Sequence, residues 1–98
     1  NLQEAHDLIF RALEKTPDNP AVQDSAGWVL HRLQRHEEAL QYLERAYAAQ
    51  REAEIAAHIG EVYWAMGEKS KAREIWQAAL AVEPGHRYLL RTLRRHPE

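Results

Sequence analysis

Apolar residues in this chain return every three or four positions, in six blocks separated by short polar breaks. That spacing lays one apolar stripe along a helix. No segment alternates apolar and polar positions, so no strand is expected. The first helix is predicted over about residues 2–15, with Ala5, Leu8, Ile9, Ala12 and Leu13 on its inward face. It stops before Thr16-Pro17-Asp18-Asn19-Pro20, because Pro17 disfavours continuation. Asn19 and Pro20 suit the N-cap and first residue of the next helix.

The second helix is predicted over about 20–34, with Val22, Ala26, Val29, Leu30 and Leu33 inward. The third, about 37–50, carries Ala39, Leu40, Leu43, Ala46 and Tyr47. The fourth, about 53–66, carries Ile55, Ile59, Val62, Tyr63 and Met66, and Gly67 is a natural stop. The fifth, about 69–82, carries Ala72, Ile75, Trp76, Ala79 and Leu80. A sixth, about 86–95, carries Leu89, Leu90 and Leu93. Connections this short make successive helices antiparallel.

The stripes themselves repeat. Ala5, Ala39 and Ala72 are separated by 34 and then 33 residues, and Ala12, Ala46 and Ala79 by the same intervals. Gly27 and Gly60 are 33 apart, and Pro17 and Pro84 are 67 apart. Small residues at a fixed period mark places where helices press together, and this period means a stacked array.

These residues resemble the tetratricopeptide repeat. The best match is Ile59-Gly60-x2-Tyr63, then Ala72-x3-Trp76, Ala79 and Pro84. The preceding copy reads Ala26-Gly27-x2-Leu30, Ala39-x3-Leu43 and Ala46, with Arg51 in place of the closing proline and one residue fewer. A half-copy reads Ala5-x3-Ile9, Ala12 and Pro17, so the resemblance covers residues 1–86. It implies an all-α, right-handed solenoid of antiparallel helix pairs. Residues 1–19 would be the second helix of a truncated repeat, 20–52 and 53–86 full repeats, and 87–98 a capping helix. Arg94 stands where a further helix-crossing glycine would be, and Arg91, Arg94 and Arg95 give the cap a solvated side. The chain, which starts at Asn1 within a helical pattern, is expected to be the C-terminal part of a longer array.

A narrower resemblance lies in Asp24-Ser25-Ala26-Gly27-Trp28-Val29-Leu30 and in the stretch Ile55 to Trp64. These are similar to C-terminal repeats of proteobacterial tetratricopeptide proteins, including outer-membrane lipoproteins facing the periplasm. The resemblance implies an adaptor that gathers envelope proteins, among them a processing protease and its substrates.

Two tryptophans stand apart from the pattern. At 100° per residue, Trp28 lies opposite the second helix's stripe, beside Asp24, His31 and Arg35. Trp64 lies off the fourth helix's stripe, near Ala57 and Glu61. By the resemblance, the first helix of each repeat lines a concave groove. Its expected lining is Asp24, Trp28, His31, Arg32, Glu54, Ala57, Glu61, Trp64, Tyr88, Arg91 and Arg95. Two readings stand open for Trp28 and Trp64, packing on neighbouring helices or anchoring a partner. Trp76 obeys the repeat and is expected in the core. The family's carboxylate clamp uses Lys and Asn in the groove; here those places carry Asp24, Trp28, Ala57 and Glu61, so a chaperone tail is not the expected ligand.

Composition narrows the chemistry. Net charge is −2 with neutral histidines, which gives no bulk attraction to nucleic acid or anionic lipid. No apolar run approaches the roughly 18 residues that span a bilayer. With no cysteine there is neither a disulfide nor a thiolate. Glu54, His58 and Glu61 share a helix side with ligand chemistry, yet contacts at that spacing are ordinary surface pairs. The segment His86–His96 has four arginines and no acid; a solvated cap is the first reading, an acidic protein contact the second and a nucleic-acid contact the third. No catalytic motif is present, so a non-enzymatic adaptor without metal or cofactor is expected. The partner would be a protein or peptide, with no membrane insertion. The alternative is an array-ending module that self-associates through the apolar face of the first helix.

Overall fold

The computed structural model describes residues 1–97, and Glu98, the end of the expected cap, lies outside them. Among the described residues there are six helices and no strand: α1 (Leu2–Lys15), α2 (Pro20–Arg32), α3 (His36–Ala49), α4 (Ala53–Ala65), α5 (Lys69–Val82) and α6 (Arg87–Arg95). They form two compact units, Asn1–Gln50 and Arg51 onward.

In the first unit, Asn19 caps α2 as its sequence suggests. Its Oδ1 accepts the N–H groups of Ala21 and Val22 at 2.9 and 3.2 Å, and Pro20 opens the helix. α2 packs on α3 through Gly27. A Cβ at Gly27 would stand 2.6 Å from Leu43 Cγ and 3.0 Å from the Ala39 carbonyl oxygen. Ala26, Leu30, Ala39, Leu43 and Ala46 close the core around this approach. α1 packs on α2 and meets α3 where Phe10 points its edge at Tyr42, 5.6 Å between ring centroids.

The second unit repeats the pairing with a larger side chain. Trp76 on α5 is fully buried, and its indole fills the space a Cβ on Gly60 of α4 would need. Its Nε1–H donates to the carbonyl of Ala57 at 3.2 Å, so the buried polar atom is satisfied. Truncating a residue packed like this costs about 3–5 kcal/mol. α6 lies on α4 and α5, with Leu89 and Thr92 buried.

The turns between α2 and α3 and between α4 and α5 share one backbone shape. The N–H of Arg35 donates to the Leu30 carbonyl and that of Gln34 to His31, both at 2.9 Å. Glu68 and Gly67 make the same bonds to Tyr63 and Trp64 at 2.8 and 3.0 Å. This closure needs one left-handed residue. Gly67 supplies it at φ 84°, as expected of a stop; Gln34 supplies it at φ 67° with a side chain attached. The left-handed turn ends α2 at Arg32 rather than near 34.

Three stripe residues depart from the expected core. Leu8 is 65% exposed, because α1 turns Leu13 inward and leaves Leu8 on its other side. Met66 is 38% exposed at the C-cap of α4, where the stripe has run out. Leu90 is 39% exposed because Leu89, one residue earlier, takes the inward position.

A side chain at φ > 0 costs roughly 1–2 kcal/mol. Gly67→Ala is therefore expected to lower stability by about 1 kcal/mol, and Gln34→Gly to raise it by somewhat less. Urea denaturation of both variants checks this; midpoints that fail to move in opposite directions refute the strain at Gln34.

Candidate interaction surface

In the first unit, α2 carries four of the expected groove residues. Asp24, Trp28 and His31 are half-buried and Arg32 is exposed. The rings of Trp28 and His31 meet at 5.1 Å between centroids, and His31 Nδ1 lies 3.0 Å from Nδ1 of His36. At that separation one imidazole donates and the other accepts, which sets the two tautomers against each other. At the foot of α3, the Arg35 guanidinium forks onto Glu38 at 2.8 and 2.7 Å. That hydrogen bonding holds the Glu38 carboxyl below its usual range and raises Arg35. On α1, hydrogen bonds from His6 and Gln3 lower Asp7 in the same way.

In the second unit, α4 carries Glu54, Ala57, Glu61 and Trp64, and α6 carries Tyr88, Arg91 and Arg95. Ala57 overturns the expectation of a groove-lining side chain. It is fully buried, one turn before Gly60 on the side of α4 that meets Trp76, and it offers that indole its carbonyl. Trp64 packs on its neighbours, the first of the two readings left open for it. Its ring stacks on Trp76 at 5.9 Å and 28° and lies 4.7 Å from His96, yet it remains half-buried rather than enclosed. Lys69 Nζ sits 5.0 Å from its centroid, within cation–π range.

Glu61 and Arg95, both expected in the groove lining, meet each other. Arg95 Nη2 donates to Glu61 Oε1 at 2.9 Å, and His96 Nε2 lies 2.9 Å from Oε2. The Glu61 side chain is only 13% exposed, so this pair binds α6 to α4 rather than reaching outward. Tyr88 is tied in too: its hydroxyl lies 3.0 Å from His58 Nε2, and the rings meet edge-on at 5.6 Å. Glu54 stands 3.9 Å from His86. Glu54, His58 and Glu61 thus face three different neighbours, and no group of three metal-capable side chains occurs among the described residues.

What remains outward is on α6. A concavity of about 370 Å³ is lined by Tyr88, Arg91, Thr92, Arg94 and Arg95. It brings together three expected site residues and adds Thr92 and Arg94. His96, which stacks on Trp76 at 5.3 Å and 16° while bonding Glu61, was not read as part of the site. Its place just past the last apolar residue gave no periodic signal. In the first unit, a second concavity of about 440 Å³ is lined by Asp18, Gln23, Arg45, Ala48 and Ala49. Gln23 is buried there, its Nε2 donating to the Pro17 carbonyl at 2.9 Å, while its Oε1 has no protein partner among the described residues. A lone glutamine carries no sequence signal for such a place.

The helix pairs, their glycine crossings and the periodic alanines agree with a comparison across families. The sequence profile described as "Tetratricopeptide repeat-like domain" matches residues 2–94. The chain belongs to this family. Over 58 residues, 59% of the chain, it is 41% identical to a TPR repeat-containing protein of Pseudomonas aeruginosa, of which it covers 10%. A MamA mutant structure is similar at TM-score 0.67 and 26% identity, over 74% of this chain and 53% of MamA. A MamA AMB-1 structure has TM-score 0.74 at 23% identity, over 99% of this chain and 52% of its own, a likeness of fold. The chain spans about half the length of these MamA structures and a tenth of the Pseudomonas protein. Tetratricopeptide repeats are generally non-enzymatic modules that bind other proteins.

Charge-assisted hydrogen bonds to a mostly buried carboxylate contribute about 1.5–3 kcal/mol each, less where a partner is as exposed as Arg95. Glu61→Gln is expected to loosen α6 and lower the stability of the second unit by about 1 kcal/mol. Amide exchange of α6 should quicken more than that of α5; equal protection in both helices would show that the pair does not hold α6.

Proposed function

We propose that this chain is a protein-interaction segment whose first-helix faces, on α2, α4 and α6, take a peptide or partner protein. The observation that carries the reading is the concavity on α6, which Tyr88, Arg91 and Arg95 line, three residues that the family resemblance places in the groove. Half-buried Trp28 and Trp64 support it, since a large flat ring with an N–H donor anchors a partner well. The mechanism is passive: rigid helix pairs present a preformed surface, which limits the ordering cost of binding. The chain then serves within a longer adaptor at a bacterial envelope, beside a processing protease, as its resemblance to proteobacterial repeat proteins suggests. On this view residues 20–52 and 53–86 act as full repeats, and the helix after them as the cap.

A photo-crosslinking residue placed at Asp24, His31 or Arg91 of the parent protein is expected to yield partner adducts in the membrane fraction. The same residue at Glu44 or Gln77, on the exposed sides of α3 and α5, is expected to yield none. Adducts spread evenly over all five positions, or confined to Glu44 and Gln77, would overturn the first-helix reading. Adducts only in the soluble fraction would remove the envelope role.

A second reading rests on Leu8, 65% exposed on α1. There the chain ends or joins arrays by self-association through that helix. If so, Leu8→Glu lowers the sedimentation coefficient of the 98-residue chain at high concentration; identical monomeric sedimentation of both forms rejects the idea.

A further inference from the structure

The arginines of α6 are arranged at a cost to the helix itself. Arg87, Arg91 and Arg95 are spaced four residues apart, so like charges stack along one side, and no acid lies between Pro84 and Pro97. Arg87 is moreover the first helical residue, where the positive end of the helix dipole disfavours a cation. Only Arg95 is neutralised, by Glu61, a carboxylate that His96 shares. Arg87, Arg91 and Arg94 are exposed and form no ion pair among the described residues. A helix that only closed the stack would lose nothing with glutamate or glutamine at Arg87 or Arg91; Arg94, in the last turn, is the one that the helix dipole favours. Leu90, 39% exposed, stands on the same outer side, three and four residues from Arg87 and Arg94.

We infer that α6 is the docking site for an acidic segment of a partner protein, whose carboxylates pair with Arg87, Arg91 and Arg94 and whose apolar residue covers Leu90. This rests on the interaction reading above and names its partner. Guanidinium forks match carboxylates two bonds at a time, and the 370 Å³ concavity beside Tyr88 has room for one such pair. Arg87 to Arg94 spans seven residues, roughly 10 Å of helix. A short peptide segment covers that length, whereas the chain's net charge of −2 repels a long polyanion or a lipid surface beyond that patch.

The test uses the 98-residue chain and a fluorescein-labelled helical peptide with glutamate at every fourth position and leucines between, read by fluorescence anisotropy. The same peptide with lysine for glutamate, a single-stranded oligonucleotide and phosphatidylglycerol vesicles serve as comparisons. Arg91→Glu is expected to weaken the glutamate peptide about tenfold and Arg91→Glu/Arg94→Glu further, with Arg91→Lys between them and wild type. Arg11→Glu, which changes net charge equally on α1, is expected to change affinity less than about twofold. Should the double variant lose helicity, a triple change of Arg87, Arg91 and Arg94 to glutamine is measured in its place, with the same loss expected. An Arg11 effect as large as that of Arg91, no loss in the double or triple variant, or tighter binding of oligonucleotide or vesicle overturns the proposal. If peptide binding is insensitive while photo-adducts persist at Asp24 and Arg91, this partner chemistry fails and the interaction reading stands. If the adducts vanish as well, the interaction reading itself has failed.

Discussion

The contact between the Trp76 indole and the bare backbone of Gly60 sets the spacing of the second unit. An indole can lie against a helix backbone only where the Cβ is missing, and Gly60 provides the gap. Once seated, the ring closes the α4–α5 pair, takes the Ala57 carbonyl as its acceptor, and gives Trp64 and His96 a flat surface to stack on. In the first unit Gly27 receives Leu43 in the same manner, with a smaller and more compliant side chain. Hydrophobic burial supplies the driving force in both; the glycines decide where it can be collected.

That packing also sorts the polar residues of α4 and α6. A helix wedged between two others has little free surface, so Ala57 is consumed by the core and Glu61 by the pair with Arg95 and His96. The outer side of α6 stays exposed and positive, because Arg87, Arg91 and Arg94 form no ion pair among the described residues. Arg95 is thus engaged within the fold, while Arg91 and Arg94 of the same short helix stay exposed.

The architecture was legible because it rests on periodic properties. Helix stripes, the Asn19-Pro20 start, the Gly67 stop and the 33–34 residue echo are local signals, and each reappears in the fold. Ala57, Glu61 and Arg95 are placed in the groove by helix angle and family resemblance, which tell the side of a helix but not whether a neighbour already covers it. The same limit applies to Leu8, Met66 and Leu90, where the apolar period runs past the point at which partners end. Pairings such as Glu61 with His96 or His58 with Tyr88 join residues about thirty positions apart and leave no trace in a repeat pattern.

The matched turns at Gln34 and Gly67 bear on how such chains change over time. Both reverse the chain through the same two backbone bonds, although their residues differ. What is passed from copy to copy is the shape of the joint, held by main-chain atoms that every residue type possesses. A duplicated repeat can therefore lose its glycine by drift and stay in register, at a small loss of stability.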